Sequence, residues 1–442
     1  MRSDDLDYQR ALLAYLWAVP MVNAIEFWRA LIDAGLSPTE PSLLVFDRPL
    51  AAAPADRTGS SQMIYAFTML DLSQTGPIIV EIPAGFQGHF WDFHHHGLEE
   101  IGAGASARGG TFLLLAPGQN AAPPAGAIVV RSPTRRVFGG GRCILNAGDS
   151  PETFIDLVAG IKLFPLRLAE QPPPTRIVLN RDRPFVQTWP KGIRYFHYLA
   201  DELPLGSDGV EARMMNEMLA PLGIGTGRPF APDDRLRNIL CEAATAGAAM
   251  VTTTGFAARL HGRQVWSDRQ WERNFIPAAP VGDGGARIGT NGERHAQGWY
   301  QVVGNGRYVF ASTLKEGEAQ WHSSTFHDRE GSLFDGSHSY RFTLPAGRPR
   351  KLSWSMTLYD DRSGSMIDAD RRASGPSSPA GLRANGDGPV DLWFAPEAPA
   401  GGPDNWIRTV PGQPFFATFR LYGPLDLVLD GTWKLNDVEK VD

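Results

Sequence analysis

The chain has 442 residues, with 42 basic and 48 acidic side chains and a net charge of −6. With 43% hydrophobic and 20% charged residues it is an ordinary globular composition, which excludes a disordered chain, and the lack of any basic run excludes a nucleic-acid binder. Gly 48 and Pro 35 exceed ordinary usage without a Gly-X-Y repeat, which excludes collagen and points to a turn-rich, mainly β fold.

Residues 5–35 carry helical apolar spacing at Leu12, Leu13, Leu16, Trp17, Val19 and Val22, continued by Ile25, Phe27, Trp28 and Leu31. Pro20 inside that pattern predicts two helices rather than one, with Gly35 as the cap. The apolar run Ala11–Val22 is shorter than the about 20 residues a membrane span needs. Asp4, Asp5 and Asp7 precede it where a signal peptide would be basic. The chain is therefore expected in the cytoplasm, or in the periplasm if it is an already processed form, without a membrane partner. Cys143 and Cys241 make no disulfide framework, which agrees with that expectation.

Residues 41–170 read as short strands between Gly and Pro turns: Leu43–Phe46, Ile64–Leu70, Ile78–Ile82, Phe90–His94, Thr111–Ala116, Ala127–Arg131 and Arg142–Asn146. A short helix is expected over 150–165, and Gln171-Pro172-Pro173-Pro174 is a rigid connector. Helices are expected over 209–221 and 232–262. The glycines between them (Gly223, Gly225, Gly227) follow a helix, not a strand, so they are a turn and no nucleotide cofactor is expected. Strands return at Arg307–Ser312, Ser339–Leu344, Leu352–Leu358, Val390–Phe394 and Pro414–Tyr422. The expected architecture is N-terminal helices (1–40), a first β-sandwich or jelly roll (41–170), a helical connector (171–270) and a second β-sandwich (271–442). Phe90–Gly97 and Ser353–Asp360 both place Trp second in a strand that ends in a turn, an internal echo of two related barrels.

Four of the ten histidines fall within eight residues: His89, His94, His95 and His96. If a strand runs through them, alternation puts Asp92, His94 and His96 on one face and Trp91, Phe93 and His95 on the other. Two imidazoles at i and i+2, with Glu99 and Glu100 just beyond Gly97, suit a divalent transition metal. The spacing Gly88, His94, His96, Glu100 resembles the first metal motif of the cupins, which are jelly-roll proteins, and departs from it at Ala107. That resemblance implies iron, manganese, nickel or zinc on His94, His96 and Glu100. His322, His327-Asp328 and Glu330 form a looser cluster that reads as a surface loop. Tyr359-Asp360-Asp361-Arg362 reads as a turn at a strand end, with Tyr359 and Asp360 able to face a cleft. No G-x-S-x-G or H-E-x-x-H occurs.

The C-terminal strands carry a broader likeness. Asp335-Gly336-Ser337-His338-Ser339-Tyr340, Trp354-Ser355-Met356-Thr357-Leu358-Tyr359-Asp360, Asn405-Trp406-Ile407, Phe419-Arg420-Leu421-Tyr422 and Leu429-Asp430-Gly431-Thr432-Trp433 resemble motifs of a bacterial family. That family pairs domain of unknown function 1254 with domain of unknown function 1214. Tyr65, Leu70-Asp71-Leu72 and Gly76-Pro77 resemble its N-terminal half, whereas the His94–His96 run departs from it. The likeness implies β-sandwich or jelly-roll domains joined by helices and gives no reaction.

Three functions are open at this point. One is a hydrolase or lyase on the first barrel for a small organic substrate, aromatic or sugar, with metal on His94, His96 and Glu100 and with Glu99 or Tyr65 as acid or base. Another is a metal-free acid–base enzyme at the junction of the β domains, with His95 or His96 as base facing Tyr359 or Asp360. The last is a carbohydrate-binding or structural module. Trp91 and Trp354 join Tyr65, Tyr359 and Asp360 as candidate substrate contacts, because indoles combine apolar area with one donor. Exposed edge strands leave room for a homo-oligomer.

Overall fold

The computed structural model describes residues 3–48, 63–95, 97–102, 109–144, 150–181, 185–202, 210–256, 264–273, 320–348, 350–361, 366–367, 382–386, 388–400 and 405–442. The expected strand Arg307–Ser312 lies outside them.

Helix α1 (Ser3–Asp33) runs unbroken through Pro20, so the expected pair of helices is one. A proline inside a helix costs about 3 kcal/mol through a lost hydrogen bond and a clash with the preceding turn. Burial outweighs that cost. Val19, Val22, Ile25, Phe27 and Leu31 are at most 2% exposed, and each such side chain contributes about 1.5–3 kcal/mol when buried. The helix is long and apolar enough to cross a membrane, and 78% of its apolar window is buried inside the protein.

The first half of the chain then gives β1 (Ser42–Val45), β2 (Met63–Asp71), the short α2 (Leu72–Thr75), β3 (Ile78–Ile82), β4 (Gly88–Asp92), β5 (Gly97–Ile101), β6 (Gly110–Leu115), β7 (Ile128–Arg131), β8 (Arg136–Ile144), α3 (Glu152–Ala159), β9 (Lys162–Pro165) and β10 (Arg176–Leu179). They form a six-stranded sheet, β10-β1-β2-β8-β4-β5, and a four-stranded sheet, β7-β6-β3-β9. β10 lies in the expected helical connector, yet it pairs in parallel with β1. The two sheets pack face to face over Val45, Ile64, Leu70, Ile78, Val80, Phe90, Phe112 and Leu114. The other face of the six-stranded sheet carries Met63, Tyr65, Phe67, Met69, Trp91 and Phe138 against α1. All nine residues of β2 are therefore buried. A strand covered on both faces reads as an apolar run, which is what Met63–Leu70 shows.

Helices α4 (Ile193–Glu202), α5 (Val210–Leu219) and α6 (Asp234–Phe256) pack on α1. α6 approaches closely because it has glycine where it meets Tyr15. A Cβ on Gly247 would lie 2.3 Å from that ring.

The second half gives β11 (Glu272–Arg273), β12 (Gln320–Thr325), β13 (Tyr340–Leu344), β14 (Arg350–Asp360), β15 (Val390–Ala395), β16 (Trp406–Arg408), β17 (Phe415–Pro424) and β18 (Glu439–Lys440). Sheet β11-β12-β17-β14 packs on sheet β16-β15-β13-β18. Trp354, Met356, Leu358, Phe419 and Leu421 from the one meet Tyr340, Phe342, Leu392 and Phe394 from the other. β13 alternates buried and half-buried residues, as a sheet with one wet face should. β17 is buried along its whole length. Its second face joins the α1 core through Phe416 and Tyr422, beside Tyr359 of β14. The fold is thus mainly β, two sandwiches joined by helices, with α1 packed on the outer face of the first.

The echo between the two tryptophan strands is not structural. Trp91 points out of its sandwich toward α1, whereas Trp354 points into the core between its two sheets.

Three consecutive glycines on β8 let neighbouring rings lie flat across the strand. A Cβ on Gly141 would fall 2.2 Å from Phe86 Cζ and 2.5 Å from the Gln87 carbonyl oxygen. Gly141→Ala is expected to cost about 2–3 kcal/mol by overpacking. Gly160→Ala, whose new Cβ would come no nearer than 3.3 Å to another atom, is expected to stay within about 0.5 kcal/mol. Urea unfolding midpoints of the two variants check the contrast.

Candidate functional site

The histidine segment is a turn, not a strand. β4 ends at Asp92, whose carboxylate accepts the His94 N–H at 2.8 Å while its carbonyl accepts the His95 N–H at 3.0 Å. His95 sits at φ 61, a left-handed conformation that non-glycine residues adopt reluctantly. The expected alternation therefore stops at Asp92. His95 is 2% exposed. Its Nε2 lies 3.1 Å from Asn23 Nδ2 of α1, with the amide as donor. The His94 ring lies 6.2 Å from that of Trp17, also on α1. The turn thus docks the hairpin on the helix.

Glu100 stands opposite His89 in the β4–β5 ladder, and Glu99 opposite Phe90. Glu100 is three residues along β5 from the turn, so the register pairs it with His89 rather than with His94. Burial, and then the Glu100 carboxylate, push Glu99 above the usual carboxylate range. His96 lies outside the described residues. Among the described residues no three His, Cys, Asp or Glu side chains are placed to share a metal.

Trp91 stacks on Phe138 in the α1 core, and Trp354 on Phe419 in the second sandwich. Both are core residues. Asp360 ends β14 and accepts a hydrogen bond from Gln413 Nε2.

Tyr65 and Tyr359, some 300 residues apart, are brought together. The register explains how. On the second sandwich, the inner face of β14 holds Trp354, Met356 and Leu358, so Ser355, Thr357 and Tyr359 share its outer face. β17 likewise turns Thr418, Arg420 and Tyr422 outward. Ser355 pairs with Arg420, and Arg420 with His322 of β12. Such a face would ordinarily meet water. Here Ser355, Thr357, Tyr359, Thr418 and Tyr422 are at most 1% exposed and Arg420 is 5% exposed. From the first sandwich, Tyr65 and Arg142 are cross-strand partners on the face turned toward them.

The groups interact closely. Arg420 Nη1 donates to Thr357 Oγ1 at 3.3 Å, and its guanidinium carbon lies 5.5 Å from the Tyr359 ring centre. Ser355 Oγ and the Tyr422 hydroxyl are 3.3 Å apart, and Ser324 Oγ and Thr418 Oγ1 are 2.7 Å apart. Burial pushes the Tyr359 phenol up to about 12, against the opposing pull of Arg420. Burial works against the Arg420 charge, and the Tyr359, Tyr422 and Tyr65 phenols offset it, so the guanidinium stays charged. His322 is held neutral, well below the ordinary histidine range, by burial first and then by Arg420 and Arg142. His322 and Arg142 keep partial exposure, so the cluster reaches the surface on their side.

His322 stands on a strand, not in the expected surface loop. That loop begins later, where the Asp328 carboxylate accepts the Glu330 and Ser332 N–H groups at 3.0 and 2.9 Å. Arg420 and Arg142 carried no functional signal of their own. Arg420 is the one charged residue in the strand stretch Phe415–Tyr422, and that interruption is the mark a buried charge leaves in a sequence.

Family models match the chain in two places. One, described as a protein of unknown function (DUF1254), covers residues 47–165. The other, described as a protein of unknown function (DUF1214), covers residues 319–426. The chain belongs to the family that pairs these two domains. Together the matches span just over half of it. A crystal structure of the VPA0106 protein from Vibrio parahaemolyticus has the same fold, with a TM-score of 0.57 at 17% identity over 99% of this chain and 100% of that one. An uncharacterised protein from Burkholderia cenocepacia aligns over 98% of this chain and 94% of its own, with a TM-score of 0.41 at 10% identity. No curated protein matches. The junction cluster draws on both family domains: Tyr65 and Arg142 fall in the first match, and His322, Tyr359 and Arg420 in the second.

The neutral state of His322 has a measurable consequence. Below about pH 6.5 the unfolded chain binds a proton on this imidazole that the folded chain refuses, so stability falls as pH drops. His322→Gln is expected to remove part of that loss. The urea midpoint of the variant should decline less than that of the unaltered protein between about pH 7.5 and about pH 5.5.

Proposed function

We propose that the protein is an acid–base enzyme, a lyase, that acts on a small organic anion at the junction of the two β-sandwiches. The observation that carries this reading is the buried cluster of Arg420, Arg142, His322, Tyr359 and Tyr65. Two guanidiniums in a poorly solvated place attract an anion, and hydroxyls and phenols around them supply oriented donors.

The chemistry follows from the charges. With the site empty of anion, burial first and then Arg420 and Arg142 keep His322 neutral. A bound carboxylate offsets both cations and raises the basicity of the imidazole against the remaining effect of burial. His322 then takes a proton from the carbon next to the carboxylate. The C–H electron pair forms the new C=C bond, and the leaving oxygen departs with the proton of the Tyr359 phenol. Tyr359 suits that role because its raised pKa keeps the proton in place until an oxygen develops charge. Arg420 stabilises the enolate-like charge between the two steps. The histidine turn near α1 is a structural contact in this reading.

A panel experiment tests this while the substrate is still unidentified. The protein is incubated in deuterium oxide with a range of small hydroxy acids, and proton exchange next to the carboxylate is followed by NMR. Exchange with at least one acid is expected. His322→Gln and Tyr359→Phe should lower its rate by at least about 100-fold, the usual size of an acid–base contribution. Arg420→Lys should lower kcat as well as raise KM. Exchange that persists in both His322→Gln and Tyr359→Phe, or none with any acid, overturns the reading.

A further inference from the structure

A second polar concavity lies outside the junction cluster. It has a volume of about 330 Å³ and is walled by α1, α4 and the segment before α4. Glu26, Arg29 and Asp33 line it from α1, at a spacing that puts them on one helical face. Arg194 and Tyr198 line it from α4, four residues apart, and Thr188 closes a side.

The floor is buried and the rim is exposed. Tyr198 is 3% exposed. Its ring is flanked by two guanidiniums, with the carbon of Arg29 3.8 Å from the ring centre and that of Arg194 5.3 Å away. Its hydroxyl is buried, with the Glu26 carboxylate and the Arg194 guanidinium in its reach but neither at good hydrogen-bonding geometry. A buried donor left unmade costs about 1–3 kcal/mol, so such a group marks a place where a ligand has something to gain. Glu26 is 5% exposed, and its Oε2 accepts the Thr188 N–H at 2.9 Å. Burial, followed by the Glu26 carboxylate, pushes the Tyr198 phenol upward, so it remains a donor.

The charges select the ligand. A simple anion would suit Arg29 and Arg194 but would meet Glu26 and Asp33. A simple cation would meet the opposite conflict. A molecule with both signs satisfies all four. The volume holds roughly ten waters, enough for one small molecule.

We propose that this cavity binds a free α-amino acid as its zwitterion. The carboxylate bridges Arg29 and Arg194 and accepts the Tyr198 hydroxyl. The ammonium lies against Glu26 and Asp33. This site is separate from the junction cluster and stands or falls without it.

Calorimetric titration of the full chain with each of the common L-amino acids tests the proposal. Any amino acid that binds is titrated again as its carboxamide and as its N-acetyl derivative. Saturable binding of at least one free amino acid is expected, with at least about a tenfold loss for each blocked form. Arg194→Gln should weaken binding at least about tenfold, and Tyr198→Phe, which keeps the ring, several-fold. Circular dichroism confirms the fold of both variants, and Arg194→Lys serves if Arg194→Gln fails to fold. The proposal is overturned if no amino acid binds, if the blocked forms bind equally well, or if the double variant Arg194→Gln, Tyr198→Phe binds as tightly as the unaltered chain.

Discussion

A guanidinium that is 5% exposed must be solvated by the protein itself, and much of the molecule's arrangement follows from how Arg420 meets that demand. Removing such a charge from water costs several kcal/mol. The cost is offset by phenols and hydroxyls that converge on it from two sandwiches and three strands. Neither sandwich holds the full set. Tyr65 and Arg142 come from one, and His322, Thr357, Tyr359 and Tyr422 from the other. Beside the apolar contacts of Phe416 and Tyr422, the interface therefore carries a polar patch. Its specificity lies in matching donors rather than in area.

Alternation makes most of the β framework legible. Ile78–Ile82 and Val390–Phe394 can be read almost to the residue, the first as an apolar run and the second by its alternation, because turn residues stand at their ends. The fold class and the family likeness both follow from such segments. The N-terminal helix is legible in its spacing but not in its continuity. Pro20 is a local penalty, and the burial that outweighs it comes from sheets and helices far away in sequence.

The site is less legible, for two physical reasons. A dense histidine run looks like chemistry when a strand is assumed through it. The Asp92 carboxylate instead turns the chain, and His95 spends its imidazole on Asn23. Conversely, Ser355, Thr357 and Thr418 look like the wet side of a sheet, since nothing in one strand says that a second domain covers it. Tyr65 and Tyr359 each stand out alone, and their meeting depends on the packing of one sandwich on the other. His322 stands out only as part of a loop, because its partner Arg420 is about 100 residues further along the chain.

The place of α1 bears on how the protein is made. This helix is synthesised before every strand it packs against, and its apolar surface is covered only as Phe67, Trp91 and Phe138 of the first sandwich, and then α4 and α6, follow it. Until then the nascent chain carries a long greasy segment with no permanent cover. Chaperone engagement during synthesis follows from that order of events.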